Sequence, residues 1–467
     1  MSDSQAAALC HLTVCAPTRS IDLAVPADTP VADLLPALLG YCGQETAEAG
    51  ADHGGWVLQR LGERPLDEES TLRSLDVRDG ATLHLRPRAE TLPDIHLDDL
   101  VDGIATTMRE HRYGWSSGAS RRMLLGLAVS ALAAGTVVLA LPGGGSASIR
   151  ALAATVVGLL LVAGAGSASR AVGDAGAGAA LGTMAVPCLV LAGWLLPGGT
   201  IEGDQAWEVA GARLLAASAA AAGAAVLALA AVAAYPALFL GVCVVAASGA
   251  LTGALMLLAD LSPAHCAGIM ALVAVVFGAF VPSLAFRLAG LRMPPLPTNA
   301  AQLQENIEPH ASEEVAARAV LADSWMTALY AAVGAICAAC LTGLLLQPDL
   351  AMTLTAVTLS LLLLLHARVL GNVWQRLSLT VPGAGGVVLL ALGSAWDSAS
   401  GGRLLLVAGL VAGAAGLAIA SWTVPGRRLV PYWGRAAELL HSLAAISLLP
   451  LAMWVLGVYG VLRSIKG

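Results

Sequence analysis

The sequence predicts an α-helical polytopic membrane protein of about eleven transmembrane helices, preceded by a soluble α+β head. Two observations carry this. The 467 residues are 57% hydrophobic and only 12% charged, with a mean hydropathy of +0.76. A soluble chain carries about 25% charged residues. The charge is also unevenly placed: residues 1–122 hold eleven of the 25 basic residues and most of the acids. Residues 123–467 are long apolar runs broken by short polar loops. The expected domains are a soluble head at 1–88, an amphipathic neck at 89–122 and a membrane domain at 123–467. The net charge of −7 averages two unlike regions and gives no basic face for nucleic acid.

The head reads as ββαββ. Leu12 and Val14, then Ile21, Leu23 and Val25, alternate with period two and suit a hairpin turning at Pro17 and Thr18. Asp28 is the expected N-cap of a helix carrying Val31, Leu34, Leu35, Leu38 and Leu39, which Gly40 and Gly43 would stop. Trp56 and Leu58 begin a third strand, and Leu66 ends a short one. Thr71, Leu72 and Leu75 mark a tight capped turn. Asp79-Gly80 is a hairpin-grade turn before Leu83 and Leu85 of the last strand. The order, and the stretch GERPLDEESTLRSLDVRDGATLHLRP at 62–87, resemble the ubiquitin (β-grasp) fold. Conjugation needs a free C-terminal carboxylate, but here the chain runs on after Leu85 as RPRAETLP. The head is therefore expected to be a fixed docking module. The first 20 residues lack the basic and apolar regions of a signal peptide, so the head is expected in the cytoplasm.

In the neck, Leu97, Leu100, Val101, Ile104 and Met108 share one helical face, opposite an acidic one. That stripe is a candidate contact face. Eleven spans follow, near 123–141, 151–168, 175–196, 209–233, 236–259, 264–286, 325–346, 350–370, 377–396, 404–423 and 436–460; each approaches the roughly 20 apolar residues a bilayer needs. With the N-terminus inside, cytoplasmic flanks carry 13 basic residues and outer flanks five. That bias supports an odd count, with the C-terminus outside. The long loop at 287–323 would be cytoplasmic. Arg287, Arg292, Pro294, Pro295 and Pro297 form a stiff candidate partner-contact segment there, and Ser312 is the expected cap of a short helix. Gly178 with Gly182, and Gly409 with Gly413, are GxxxG pairs suited to close helix packing, within the bundle or between copies.

Catalytic signals are absent from the sequence. The sole lysine is Lys466, so no Walker A lysine exists, and no HExxH occurs. Cys337 and Cys340 form CAAC in an apolar helix; zinc would need two such pairs or a Cys/His set, so they read as small buried residues. His366 and His441 read as single, buried, hydrogen-bonded histidines. No cofactor, metal site or catalytic residue is expected.

The head, the eleven spans and the proline-rich loop after the sixth together resemble EccD, the polytopic membrane component of mycobacterial type VII (ESX) secretion systems. The residues carrying the resemblance are the 62–87 stretch, DDLVDGIA at 98–105, FRLAGLRMPPLPT at 286–298 and ARVLGNVWQRLSL at 367–379. The short length points to the paralogue of the iron-linked ESX system. The resemblance implies a non-enzymatic scaffold in the bacterial inner membrane. It implies pairing with a second EccD copy around a lipid-lined vestibule, contact of the head with the FtsK/SpoIIIE-type ATPase EccC, and assembly with EccB and EccE. Two other readings compete. A secondary transporter would hold acids at mid-membrane, but Asp174, Asp260, Asp349 and Glu438 lie near span ends and no inverted repeat is evident. A protein-conducting pore in its own right would need polar stripes that these Ala-, Leu-, Val- and Gly-rich spans lack.

Overall fold

The computed structural model describes residues 9–16, 19–42, 55–61, 63–88, 117–143, 145–203, 205–291, 311–346, 349–424 and 431–466. They fall into two compact units, Met1–Ser117 and Gly118–Gly467. Leu97, Leu100, Val101, Ile104 and Met108 of the neck, and Arg292, Pro294, Pro295 and Pro297 of the loop, lie outside the described residues.

In the head, β1 (Leu9–Cys15) and β2 (Ser20–Pro26) form the expected hairpin, then α1 (Val31–Cys42), β3 (Trp56–Gln59) and β4 (Ala81–Pro87) follow. The sheet order is β2-β1-β4-β3, with β1 and β4 parallel at the centre and the outer pairs antiparallel. This is the β-grasp arrangement. Period-two residues Leu12, Val14, Leu83 and Leu85 face one side and meet Leu34, Leu35 and Leu38 of α1; Leu72, Leu83 and Leu85 are fully buried.

Four local expectations need correction. Asp28 does not cap α1, because backbone from the next segment does that work: Val31 N donates to Ser70 O and Ala32 N to Glu68 O. Asp28 instead pairs with Arg73 at 3.2 Å. Gly40 does not stop α1, which continues to Cys42 because Cys42 is drawn into the core while Gly40 sits on the solvent face. Leu66 ends no strand; a lone bridge joins Gln59 to Pro65, and Leu66 N donates to Leu58 O. Asp79-Gly80 is a turn, with Gly80 at φ +83°, but it joins no hairpin, since β4 enters beside the parallel β1.

Asp79 has a second task. The His11 amide donates to its Oδ1 at 2.5 Å, and the His11 ring Nδ1 stands 3.0 Å from the same oxygen. These bonds, the amide first, hold the Asp79 carboxyl below the usual carboxylate range. A depressed folded pKa contributes stability above the ordinary value of about 3.9, and that contribution is lost as pH falls through the folded value. Asp79→Asn should therefore make the head more protease-sensitive near neutral pH. The gap to the unsubstituted chain should close as pH falls through the folded value of Asp79. Limited proteolysis of the full chain across pH checks both halves.

The second unit holds eleven helices long and apolar enough to cross a membrane, among the described residues. They are α2 (Ser117–Ala140), α3 (Ala147–Arg170), α4 (Ala175–Leu195), α5 (Ala206–Val232), α6 (Pro236–Leu258), α7 (Pro263–Leu288), α8 (Ser312–Leu345), α9 (Leu350–Ala367), α10 (Val373–Asp397), α11 (Ser400–Thr423) and α12 (Pro431–Val455). A short helix, α13 (Val458–Lys466), follows a break at Gly457, φ +70°. The eleven coincide with the expected spans, with three differences. The first begins at Ser117, so Arg121 and Arg122 are helical rather than part of the neck. Pro187 and Pro382 lie inside α4 and α10 without ending them, which membrane bundles tolerate because neighbours re-satisfy the freed backbone. Ser312 caps no separate short helix: Ala311 holds the N-cap position without a side-chain bond, and the helix runs straight into the seventh span. At 34 residues, α8 measures about 51 Å, against a hydrocarbon core of about 30 Å.

Neighbours in sequence pack as neighbours in space for α3 through α6. A second group, α7 to α10 with α12, packs around α8 and joins the first through contact of α6 with α8. The largest core cluster sits in this second group, around Leu329, Tyr330, Cys337, Leu341 and Leu359. Helices α2 and α11 have no buried residue among those described.

Candidate functional site

The two GxxxG pairs have opposite surroundings. A Cβ added at Gly178 would come 2.9 Å from Ala165 O of α3, and one at Gly182 would come 3.1 Å from Ala228 Cβ of α5 and 3.3 Å from Phe239 Cζ of α6. This pair lets three helices close on α4. Gly409 and Gly413 meet nothing within 4 Å; their face of α11 is bare. Other glycines pack as tightly, among them Gly211, which stands in no GxxxG pair, and Gly253, which pairs with Gly249 at that spacing. A Cβ at Gly211 would stand 2.9 Å from Met256 Cβ, and one at Gly253 would stand 2.8 Å from Gly211 O, where α5 and α6 cross. Gly334 of α8 lies against the Ser378 carbonyl and the Pro382 ring of α10.

Two of the acids near span ends, Asp174 and Asp349, cap the helices that follow them. Asp174 caps α4, accepting from Ala177 N at 3.0 Å, and pairs with Arg121 of α2. The Ala177 amide first, and then Arg121, hold its carboxyl below the ordinary range. Asp349 caps α9, accepting from Met352 N at 2.7 Å. Asp260 occupies the α6–α7 turn at φ +49°, and Glu438 is exposed on α12.

The stretch ARVLGNVWQRLSL closes one end of the bundle. Asn372 caps α10, accepting from Trp374 N at 2.9 Å, and donates through Nδ2 to Asp323 Oδ2 of α8 at 2.7 Å. Gln375, 2% exposed, donates to Asp323 Oδ1 at 2.8 Å and to Thr327 Oγ1 at 3.1 Å. Arg376 donates to the last carbonyls of α9, Ala367 O at 3.1 Å and Arg368 O at 2.9 Å. Asp323 has no local sequence signal, because its partners lie about fifty residues downstream. Arg287 ends α7 with its side chain exposed.

Cys337 and Cys340 are buried on the inner face of α8. Cys340 also lines a cavity of about 500 Å³ walled by α4 to α8, including Val190, Trp194, Leu214, Val245 and Met256. Its lining contains no carboxylate and no cation. Such a cavity accepts hydrocarbon and offers a charged solute nothing. Among the described residues, no three His, Cys, Asp or Glu side chains come together as a metal cluster.

Residues 120–465 match the model of the EccD-like transmembrane domain. The chain belongs to the EccD family. Its head, residues 9–85, matches YukD, a protein of the WXG100 protein secretion system. Relatives of this EccD protein include the ESX-4 secretion system protein eccD4 from two Mycobacterium tuberculosis strains, CDC 1551 / Oshkosh and H37Rv, each 28% identical with 97% of both chains covered. These relatives, covered over 97% of both chains, belong to ESX-4, so length alone does not single out the iron-linked system. Among solved structures, protomer 1 of the ESX-3 core complex matches with a TM-score of 0.60 at 17% identity, covering 97% of this chain and all of that one. A chain of the MycP5-free ESX-5 inner membrane complex matches at 0.59 and 20% identity, covering 88% and 99%. At these identities the likeness shows the shared fold.

Proposed function

We propose that this EccD protein is a non-catalytic core component of an ESX inner-membrane complex. It pairs with a second copy around a lipid-lined vestibule and holds the EccC ATPase through its head, beside EccB and EccE. The observation that carries the reading is the joining, in one chain, of an EccD-type bundle at 120–465 and a YukD-type head at 9–85. The cavity walls support hydrocarbon rather than aqueous solute inside the bundle. Asp174 and Asp349 are engaged as helix caps and Asp323 in a span-end contact, rather than standing free at mid-membrane as a coupled transporter would need. The reading places the N-terminus in the cytoplasm and the C-terminus outside.

The test is a mild-detergent pull-down from native membranes with mass spectrometry and native sizing. A large complex containing an FtsK-type ATPase and two further membrane proteins is expected. A small, partner-free particle would return the weight to a transporter. Deleting residues 1–88 should leave the bundle inserted and cut ATPase recovery at least about tenfold, the loss of roughly 1.4 kcal/mol or more of contact. Full ATPase recovery would show that the head is not the tether.

A further inference from the structure

His366 and His441 lie 75 positions apart in sequence, on α9 and α12, and neither is alone. His366 Nδ1 stands 3.3 Å from His441 Nε2, and His366 Nε2 stands 3.3 Å from the hydroxyl of Tyr330 on α8. The two imidazoles are stacked, 5.4 Å between centroids and 27° between planes. Tyr330 is 2% exposed, and the histidines are half-buried. All three line a cavity of about 130 Å³ whose other walls are apolar: Val275, Gly278, Leu362 and Leu379 among them. A water needs roughly 10–15 Å³ and two to four polar partners, so this chamber can hold the water that brings a proton in.

We propose that Tyr330, His366 and His441 form a site for one proton, and that this proton latches α12 to α8 and α9. The hydrogen-bonding capacity of the groups sets the sequence of states. With both rings neutral, each gap needs one donor and one acceptor, and two tautomer patterns supply them, with the donors running either from Tyr330 towards His441 or from His441 towards Tyr330. With one proton added, His366 donates from both nitrogens, to the Tyr330 oxygen and to His441 Nε2, so both contacts persist and gain charge assistance. A second proton turns His441 Nε2 into a donor facing a donor, and sets two cations side by side among apolar walls. The His366–His441 contact then breaks, and α12 loses its polar tie to α9.

Among the described residues, no other titratable side chain lines the chamber: α7 and α10 present only apolar residues to it. The nearest charges are engaged or turned away. Asp323, two turns before Tyr330 on α8, is held by Asn372 and Gln375. Arg376 binds the α9 carbonyls, and Glu438, one turn before His441, is exposed. His366 lies in the last turn of α9, near the end of the bundle where Gln375 binds Asp323. The inference does not depend on which proteins assemble around the chain.

The experiment is histidine C2 hydrogen–deuterium exchange by mass spectrometry on the full chain in lipid nanodiscs, run across pH. Thermal unfolding is followed on the same samples. His366 and His441 should take up protons in two coupled steps rather than independently, as interacting sites do. In His441→Gln, whose amide can still accept from His366 but cannot charge, His366 should titrate in one step, and the acid-induced fall in melting temperature should shrink by half or more. Tyr330→Phe keeps the pair and removes one acceptor of the bound proton. It should lower the first midpoint while leaving two steps, and it serves if a histidine variant fails to fold. Independent titration of the two histidines would overturn the latch, as would an acid transition unchanged in both variants.

Discussion

Gly334→Ala should destabilise the bundle by at least about 3 kcal/mol, the upper end of the range for overpacking a close-packed core. The reason lies on the partner helix. Pro382 of α10 has no N–H, so the carbonyl four residues earlier, Ser378 O, has no helical donor. Gly334 of α8 sits against that carbonyl and against the proline ring, and a Cβ there would overlap the oxygen itself. Neither partner is the far end of a flexible chain, so relief requires moving backbone. The core around Leu329, Val333 and Leu341 on the same helix would move with it. Thermal unfolding of the detergent-purified chain measures the loss. The double variant Gly334→Ala/Pro382→Ala should recover part of it, because restoring the N–H draws Ser378 O back into its own helix; neighbouring sites couple in this way. A Gly334→Ala protein that melts within a degree of the unsubstituted one would refute the account.

That crossing also marks where sequence reading stops. Eleven spans were legible because hydrocarbon imposes length and apolarity on every crossing segment, whatever its neighbours. The head was legible because period-two burial at Leu12, Val14, Leu83 and Leu85 is local, and Gly80 had to adopt positive φ. The contacts between helices were not legible in the same way. GxxxG spacing found Gly178 and Gly182, which pack inside the bundle, but Gly334 and Gly211 stand in no such pair and are crowded as tightly. His366 and His441 read as two isolated histidines because 75 residues separate them, and only the packing of α9 on α12 makes them a pair. Asp28 and Ser312 failed as caps for a related reason. Backbone at Glu68 and Ser70 satisfies α1, and the polar first turns of α8 simply continue into a span.

Gly409→Leu with Gly413→Leu should leave the melting temperature of the isolated chain unchanged and weaken its self-association at least about tenfold, roughly 1.4 kcal/mol. Both glycines meet nothing within 4 Å, so leucine there displaces no part of the chain. Among the described residues their helix, α11, packs chiefly on α10, and it exposes Leu405, Leu410 and Leu417 among its apolar residues. Lipid alone would accept such a surface, and leucine is as comfortable in lipid as glycine. A second helix seated on the groove would not accept it, because close approach across small residues is what drives helix pairing where no hydrophobic force distinguishes protein from lipid. The pair Gly178 and Gly182 supplies the internal comparison: the same GxxxG spacing, buried against Ala165, Ala228 and Phe239, should lose thermal stability when enlarged. Dilution of labelled protein in nanodiscs, read by energy transfer, separates the outcomes. Unchanged pairing with unchanged melting would mean that α11 faces lipid. A fall in melting temperature would mean that α11 packs on its own chain, and only lost pairing with intact melting identifies it as the seam between two copies.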